Sequence, residues 1–309
     1  MSANLEVTTP KPATTSSSGK VPPAEQKVTI KLDRPVSELT WIQKSLLFAE
    51  LSRLAYADPE DVETTVYQTG FDQCVFIARD GAEAYVFGNR FDCMIVCRGT
   101  EPNQWNDIKA DANAWTVAFD VGRVHSGFHT EVNELWPLLE QQIKENQRPM
   151  WFSGHSLGGA MAAVCAVRCK ISPIPSNPQA IFSYGAPRVG DRTYTSFLKV
   201  KHYRWVNNND FVTRMPPEFL GYRHKGQEIY LNAYGQIRRL TRWQRVKDRW
   251  RGFLRGLRKG EFDHFADHAI SRYVGHIRSA VDDEENPLLR LRLPAFDRAA
   301  IASPRRAAA

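Results

Sequence analysis

The stretch Met150-Trp151-Phe152-Ser153-Gly154-His155-Ser156-Leu157-Gly158-Gly159-Ala160-Met161-Ala162-Ala163-Val164-Cys165-Ala166-Val167 decides the fold. Its first four residues form the short apolar run of a strand buried on both faces. Gly154 to Gly158 reads G-x-S-x-G, the nucleophile-elbow pattern, in which glycines let the backbone turn sharply and keep bulk away from the serine. The small residues that follow suit a helix packed closely on a sheet. Strand, turn and helix come in the order that lifts a serine hydroxyl off the end of a strand, beside backbone N–H groups able to hold an oxyanion. A serine that merely caps a helix at a tight turn would explain Ser156 but not its flanks.

Outward from this unit the chain alternates strands and helices. Residues 37–57 space their apolar side chains as a helix entered through Ser37. Residues 74–78 and 84–87 read as strands joined by a turn at Asp80-Gly81, and Cys93–Cys97 as a third strand that delivers Arg98-Gly99-Thr100. Residues 128–147 read as a helix with Val132, Leu135, Trp136, Leu139 and Ile143 on one side. Buried strands follow at 180–184 and 202–207. This order predicts an α/β fold with a mostly parallel central sheet covered by helices on both faces. Sites in such sheets gather at the carboxyl ends of strands, where Thr100, Ser156, Gly185 and Asp210 all fall.

The chain has 309 residues and a net charge of +7. Residues 1–30 are rich in Thr, Ser, Pro and Lys, and residues 282–309 open on Asp282-Asp283-Glu284-Glu285; both read as unstructured tails around one domain at 31–281. The five cysteines form no metal-like cluster and read as small buried hydrophobes. No metal or cofactor motif is present. The N-terminal segment carries no apolar core of the secretory kind, and no apolar run is long enough to span a bilayer. The expectation is a cytoplasmic chain, peripheral at most to a membrane. Oligomeric state is not legible.

A serine hydroxyl needs an adjacent base, normally a histidine oriented by a buried carboxylate. In the order that follows this elbow, the carboxylate comes next and the histidine last. Asp210, after a strand and within Asn207-Asn208-Asn209-Asp210, is the candidate carboxylate; Asp191 reads instead as a helix-start residue. His155 is placed pointing away from the serine's side of the turn. Among later histidines, His264 and His268 are not separated by order.

The chain resembles the class 3 lipase family, the family of fungal triacylglycerol lipases within the α/β-hydrolase superfamily. The resemblance rests on residues 96–100, Trp105-Asn106-Asp107, residues 124–128, Gly154 to Ala160, Tyr184 to Gly190, Asn207 to Asp210, and Asp267-His268 with Tyr273. It implies Ser156, Asp210 and His268 as a catalytic triad, favouring His268 over His264. It also implies an oxyanion hole from the N–H groups of Leu157 and Thr100, a structural His224, and a lipid ester as substrate. A catalytically silent membrane-binding chain and an acyltransferase using the same residues are the alternatives.

Two further segments stand out. Residues 101–122, with Trp105 and Trp115, match the family's lid, which would hide apolar surface in water and expose it at lipid. Residues 237–260 interleave arginines and lysines with Trp243, Val246, Trp250 and other apolar residues at helical spacing. A basic amphipathic helix of this kind suits an anionic membrane surface, with Arg242, Trp243, Arg249 and Trp250 as contacts. The competing reading is a helix that packs its apolar face on the domain. Nucleic acid is not an expected partner, because no recognised binding fold stands behind the charge.

Overall fold

The computed structural model describes residues 27–100, 116–259 and 266–285. In chain order its elements are α1 (Trp41–Leu54), α2 (Pro59–Tyr67), β1 (Gln73–Arg79), β2 (Ala82–Gly88), β3 (Cys93–Cys97), β4 (Thr116–Phe119), β5 (Gly122–His125), α3 (Ser126–Glu145), β6 (Met150–His155), α4 (Leu157–Ile171), β7 (Pro178–Tyr184), α5 (Arg192–Phe197), β8 (Lys201–Asn207), β9 (Gln227–Leu231), α6 (Arg242–Lys259) and α7 (Ile270–Glu285). Seven strands form one sheet in the order β1-β2-β3-β6-β7-β8-β9. The first three pair antiparallel, and every pairing from β3 to β9 is parallel. This is the mostly parallel sheet that the alternation of elements predicts.

Alternate side chains of each strand feed two cores, as the two-residue period of a strand requires. Met94, Val96, Trp151, Phe182 and Trp205 pack beneath α1 and α7 with Phe48, Tyr273 and Ile277. Ile95, Phe152 and Ile181 pack on the other face against Val132 and Leu135 of α3 and Met161 and Val164 of α4. All five cysteines are free, and four are buried.

Several boundaries differ from the sequence expectation. The first helix starts at Trp41, not Ser37, because Thr40 and Gln43 form a reciprocal capping box. The N-terminal tail does not extend to residue 30: Val28 is buried in the core, and Thr29 donates to the buried Glu50 carboxylate through its N–H and its hydroxyl. At the other end α7 runs through the acidic residues expected to open a tail. Glu284 accepts the Thr40 hydroxyl at 2.6 Å, where the positive end of α1 favours a carboxylate. The basic helix begins at Arg242 rather than at 237, since Ile237 is buried and bridges to Leu231. Within the lid-like segment, residues 101–115, including Trp105 and Trp115, lie outside the described residues. The remainder forms β4 and the start of β5, a hairpin turning at Asp120 and Val121 and tied by Arg123 to Thr116. No described helix is long and apolar enough to cross a membrane.

Candidate active site

Ser156 sits where β6 ends and α4 begins, with φ of 59° and ψ of −128°. A non-glycine residue holds this strained conformation only where its surroundings enforce it. The enforcement is close packing: a methyl group on Gly154 would overlap the Gly158 carbonyl, and one on Gly158 would overlap the Cys97 carbonyl of β3. Ser156 therefore directly precedes the N-terminus of α4, which opens at Leu157 and where N–H groups lack intrahelical acceptors. Gly99, just past β3, packs on the His155 carbonyl, so the chain delivers Thr100 to this same rim.

The loop after β8 brings Asp210, and the turn before α7 brings His268. Ser156 Oγ lies 2.8 Å from His268 Nε2, and His268 Nδ1 lies 2.9 Å from Asp210 Oδ2. All three residues are buried. The carboxylate is held further: Tyr273 donates its hydroxyl to Oδ2 at 2.6 Å, and the Val212 N–H donates to Oδ1 at 3.0 Å. With Nδ1–H donating its hydrogen bond to the carboxylate, Nε2 is left as acceptor for the serine proton. Gly185, with φ of +63°, lies beneath the group. A Cβ there would come within 2.7 Å of Asp210 and 2.9 Å of His268.

The two loops are stitched to each other. Asn207 Nδ2 donates to the Asp267 carbonyl, and the Asn209 N–H donates to the Asp267 carboxylate. The Asn207 N–H donates to Tyr273 Oη at 3.0 Å, which leaves that hydroxyl's proton for Asp210. Burial, then the charge of Asp210, pushes the Tyr273 phenol well above its usual range, so it stays a donor.

His155 bonds to groups other than Ser156, and these make it part of the assembly. Its Nε2 lies 2.7 Å from the His268 carbonyl, which can only accept, so Nε2 carries the proton and Nδ1 accepts from the Tyr56 hydroxyl at 3.0 Å. Its ring packs on His268 with centroids 4.6 Å apart. Burial, and next the neighbouring His268, hold His155 well below the usual histidine range. Sequence reading did not single out Tyr56 or the support that His155 gives. A tyrosine in the turn just after α1 carries no local signal of contact with an elbow 99 residues later.

The remaining candidates lie elsewhere. His264 falls outside the described residues. His224 is held by the Thr213 carbonyl, His202 by Ser183, and Asp191 caps α5. Of the four α6 residues expected at a membrane, Trp243 and Trp250 are exposed, while the Arg242 side chain is outside the described ones. Arg249 is on the packed side: its carbonyl accepts from Asn209, and its Nε is shielded from solvent.

Residues 94–220, which include Thr100, Ser156 and Asp210, match the family model described as lipase (class 3). The secreted mono- and diacylglycerol lipase 1 of Fusarium solani is 31% identical over 137 residues, 38% of this chain and 40% of that protein. A lipase of Rhizomucor miehei is 34% identical over 121 residues, 35% of this chain and 33% of that protein. The toxin TseL of Vibrio cholerae is 26% identical over 201 residues, 57% of this chain and 31% of that protein. The chain thus spans 31% to 40% of the length of these relatives. Among solved structures, the lipase of Rhizopus microsporus var. chinensis aligns with a TM-score of 0.53 at 19% identity, over 71% of this chain and 85% of that one. Lipase II of Rhizopus niveus aligns with a TM-score of 0.51 at 24% identity, over 62% and 80%. These two likenesses establish the α/β-hydrolase fold.

Proposed function

We propose, from the premise that the chain belongs to the class 3 lipase family through residues 94–220, that it hydrolyses lipid esters with Ser156 as nucleophile, His268 as base and Asp210 as orienting carboxylate. The observation that carries this reading is the buried relay from Ser156 Oγ through His268 to Asp210, mounted on a strained elbow. Ser156 Oγ attacks the ester carbonyl carbon as His268 Nε2 takes the hydroxyl proton. Asp210 keeps the imidazole in the tautomer that can do so and stabilises the imidazolium. The carbonyl oxygen becomes an oxyanion held by the N–H groups of Leu157 and Thr100, each worth roughly 3 kcal/mol in the transition state. Collapse breaks the ester C–O bond, and His268 returns the proton to the leaving alcohol. Water, deprotonated by the same histidine, then releases the acid from the acyl-serine.

Acylglycerols and phospholipids are the proposed substrate class. The test is hydrolysis of a p-nitrophenyl ester together with fluorophosphonate labelling, followed by a panel of tri-, di- and monoacylglycerols and phospholipids. Ser156→Ala is expected to lose labelling and about a thousandfold or more in kcat while its melting curve is retained. Undiminished ester hydrolysis by that variant would overturn the assignment.

A further inference from the structure

An amphipathic helix on a globular domain ordinarily turns its apolar stripe to the core and its charges to water. α6 is mounted the other way round. Its packed side is polar. Asp248, buried, accepts the Tyr230 hydroxyl and the Ala233 N–H, each at 3.0 Å. Arg245 pairs with Glu228 and lies over the Tyr230 ring. The Arg249 carbonyl accepts from Asn209 at 3.1 Å, and a methyl on Gly252 would overlap the Asn208 amide. Trp243, Val246 and Trp250, spaced as one face of a helix, point the opposite way and are 79%, 45% and 61% exposed.

We propose that α6 docks the protein on an anionic phospholipid bilayer, with Trp243, Val246 and Trp250 entering the headgroup region. Charge complementarity selects this occupant. Lys247 and Arg251 flank the stripe in water. Asp248 is the helix's single acid, and it is taken up inside the dock, so no acid of α6 offsets the exposed Lys247 and Arg251. Tryptophans beside a basic rim match a headgroup layer, where an indole has apolar depth and a polar edge together. The helix lies in the interface plane and does not span it. Its mounting points, Asn208 and Asn209, immediately precede Asp210, so docking places the rim that holds Ser156 beside the lipid. The proposal is independent of which ester the site cleaves.

The test uses the full chain carrying Ser156→Ala, so that lipid is not consumed, in flotation with two kinds of vesicle. One kind is phosphatidylcholine, the other phosphatidylcholine and phosphatidylglycerol in equal parts. Binding to the anionic vesicles is expected, with a blue-shifted tryptophan emission and a steep decline with salt. Trp243→Ala with Trp250→Ala should weaken that binding by about tenfold or more. Lys247→Glu and Arg251→Glu should each weaken it about fivefold or more. With Ser156 intact, the double tryptophan variant should cleave a water-soluble p-nitrophenyl ester at the parent rate, which separates a lost dock from a lost fold. Equal binding to both vesicle types, or anionic binding indifferent to the tryptophan pair, overturns the proposal. So does a change of oligomeric state in the tryptophan pair with vesicle affinity unaltered, which would assign the face to a second copy of the chain. Tryptophan-dependent binding to DNA without binding to vesicles overturns it as well.

Discussion

A carboxylate as deeply buried as Asp210 is tolerable only when its oxygens are held by donors. Three donors converge on it, and Tyr273 supplies the shortest bond at 2.6 Å. That phenol touches no reacting atom, so its role is to fix the carboxylate that fixes His268. Tyr273→Phe keeps the ring in the core and removes the bond alone. The expected result is a loss of about 2 kcal/mol of stability and a fall in kcat of about tenfold with KM unchanged. Denaturant melts and Michaelis profiles on a soluble ester read both. A raised KM with kcat intact would mean that Tyr273 shapes substrate binding instead. Gly185 makes the related point at the backbone, since its missing side chain is the space in which Asp210 and His268 meet.

At the level of elements, what was legible in the sequence and what was not follow from where each signal lies. The runs at β3, β6, β7 and β8 are continuous apolar stretches because both faces of those strands are covered, and such runs read without tertiary knowledge. The elbow is equally local, since its glycines report contacts that the turn itself creates. α2 was missed because Pro59–Tyr67 is rich in β-branched and acidic residues and buries only Val62 and Val66. β9 was missed because its charged residue, Glu228, is consumed by pairing with Arg204 and Arg245. His264 and His268 could not be parted by order, because the distinction is a distance across 112 residues, from His268 to Ser156. For α6 the periodicity gave the helix but not its direction. That depends on Asp248, whose partners come from β9 and the loop after it. Asp248→Ala removes the carboxylate that accepts from the Tyr230 hydroxyl and the Ala233 N–H, at a cost of about 2 kcal/mol. Hydrogen exchange should then rise along α6 while the sheet keeps its protection. Unchanged exchange along α6 would show that Asp248 is not what mounts the helix.

Across the whole molecule, the two-faced sheet stores histidines in forms that acid destabilises. His155 and His202 stand on neighbouring parts of the sheet, on β6 and β8, and both are buried. Burial, with Arg204 adding to it, carries His202 from 6.5 down to about 3. Burial and His268 hold His155 well below 6.5 as well. In the unfolded chain both take up a proton near 6.5, whereas in the folded chain they resist it. Below that pH the unfolded state binds more protons, so folding stability decreases as pH falls and is regained as pH rises through 6.5. The slope is about 1.4 kcal/mol per pH unit for each such histidine once the unfolded groups are fully protonated. Urea melts between about pH 7 and about pH 5 should therefore show a midpoint that declines with acidification. His202→Gln removes one of these titrations and keeps a hydrogen-bonding partner for Ser183; His125, His129, His224 and His276 are lowered by burial as well, so the decline should become shallower but persist. A midpoint constant over this interval in the parent protein would mean that neither ring resists protonation in the folded state. A decline left equally steep by His202→Gln would place the effect in histidines other than this one.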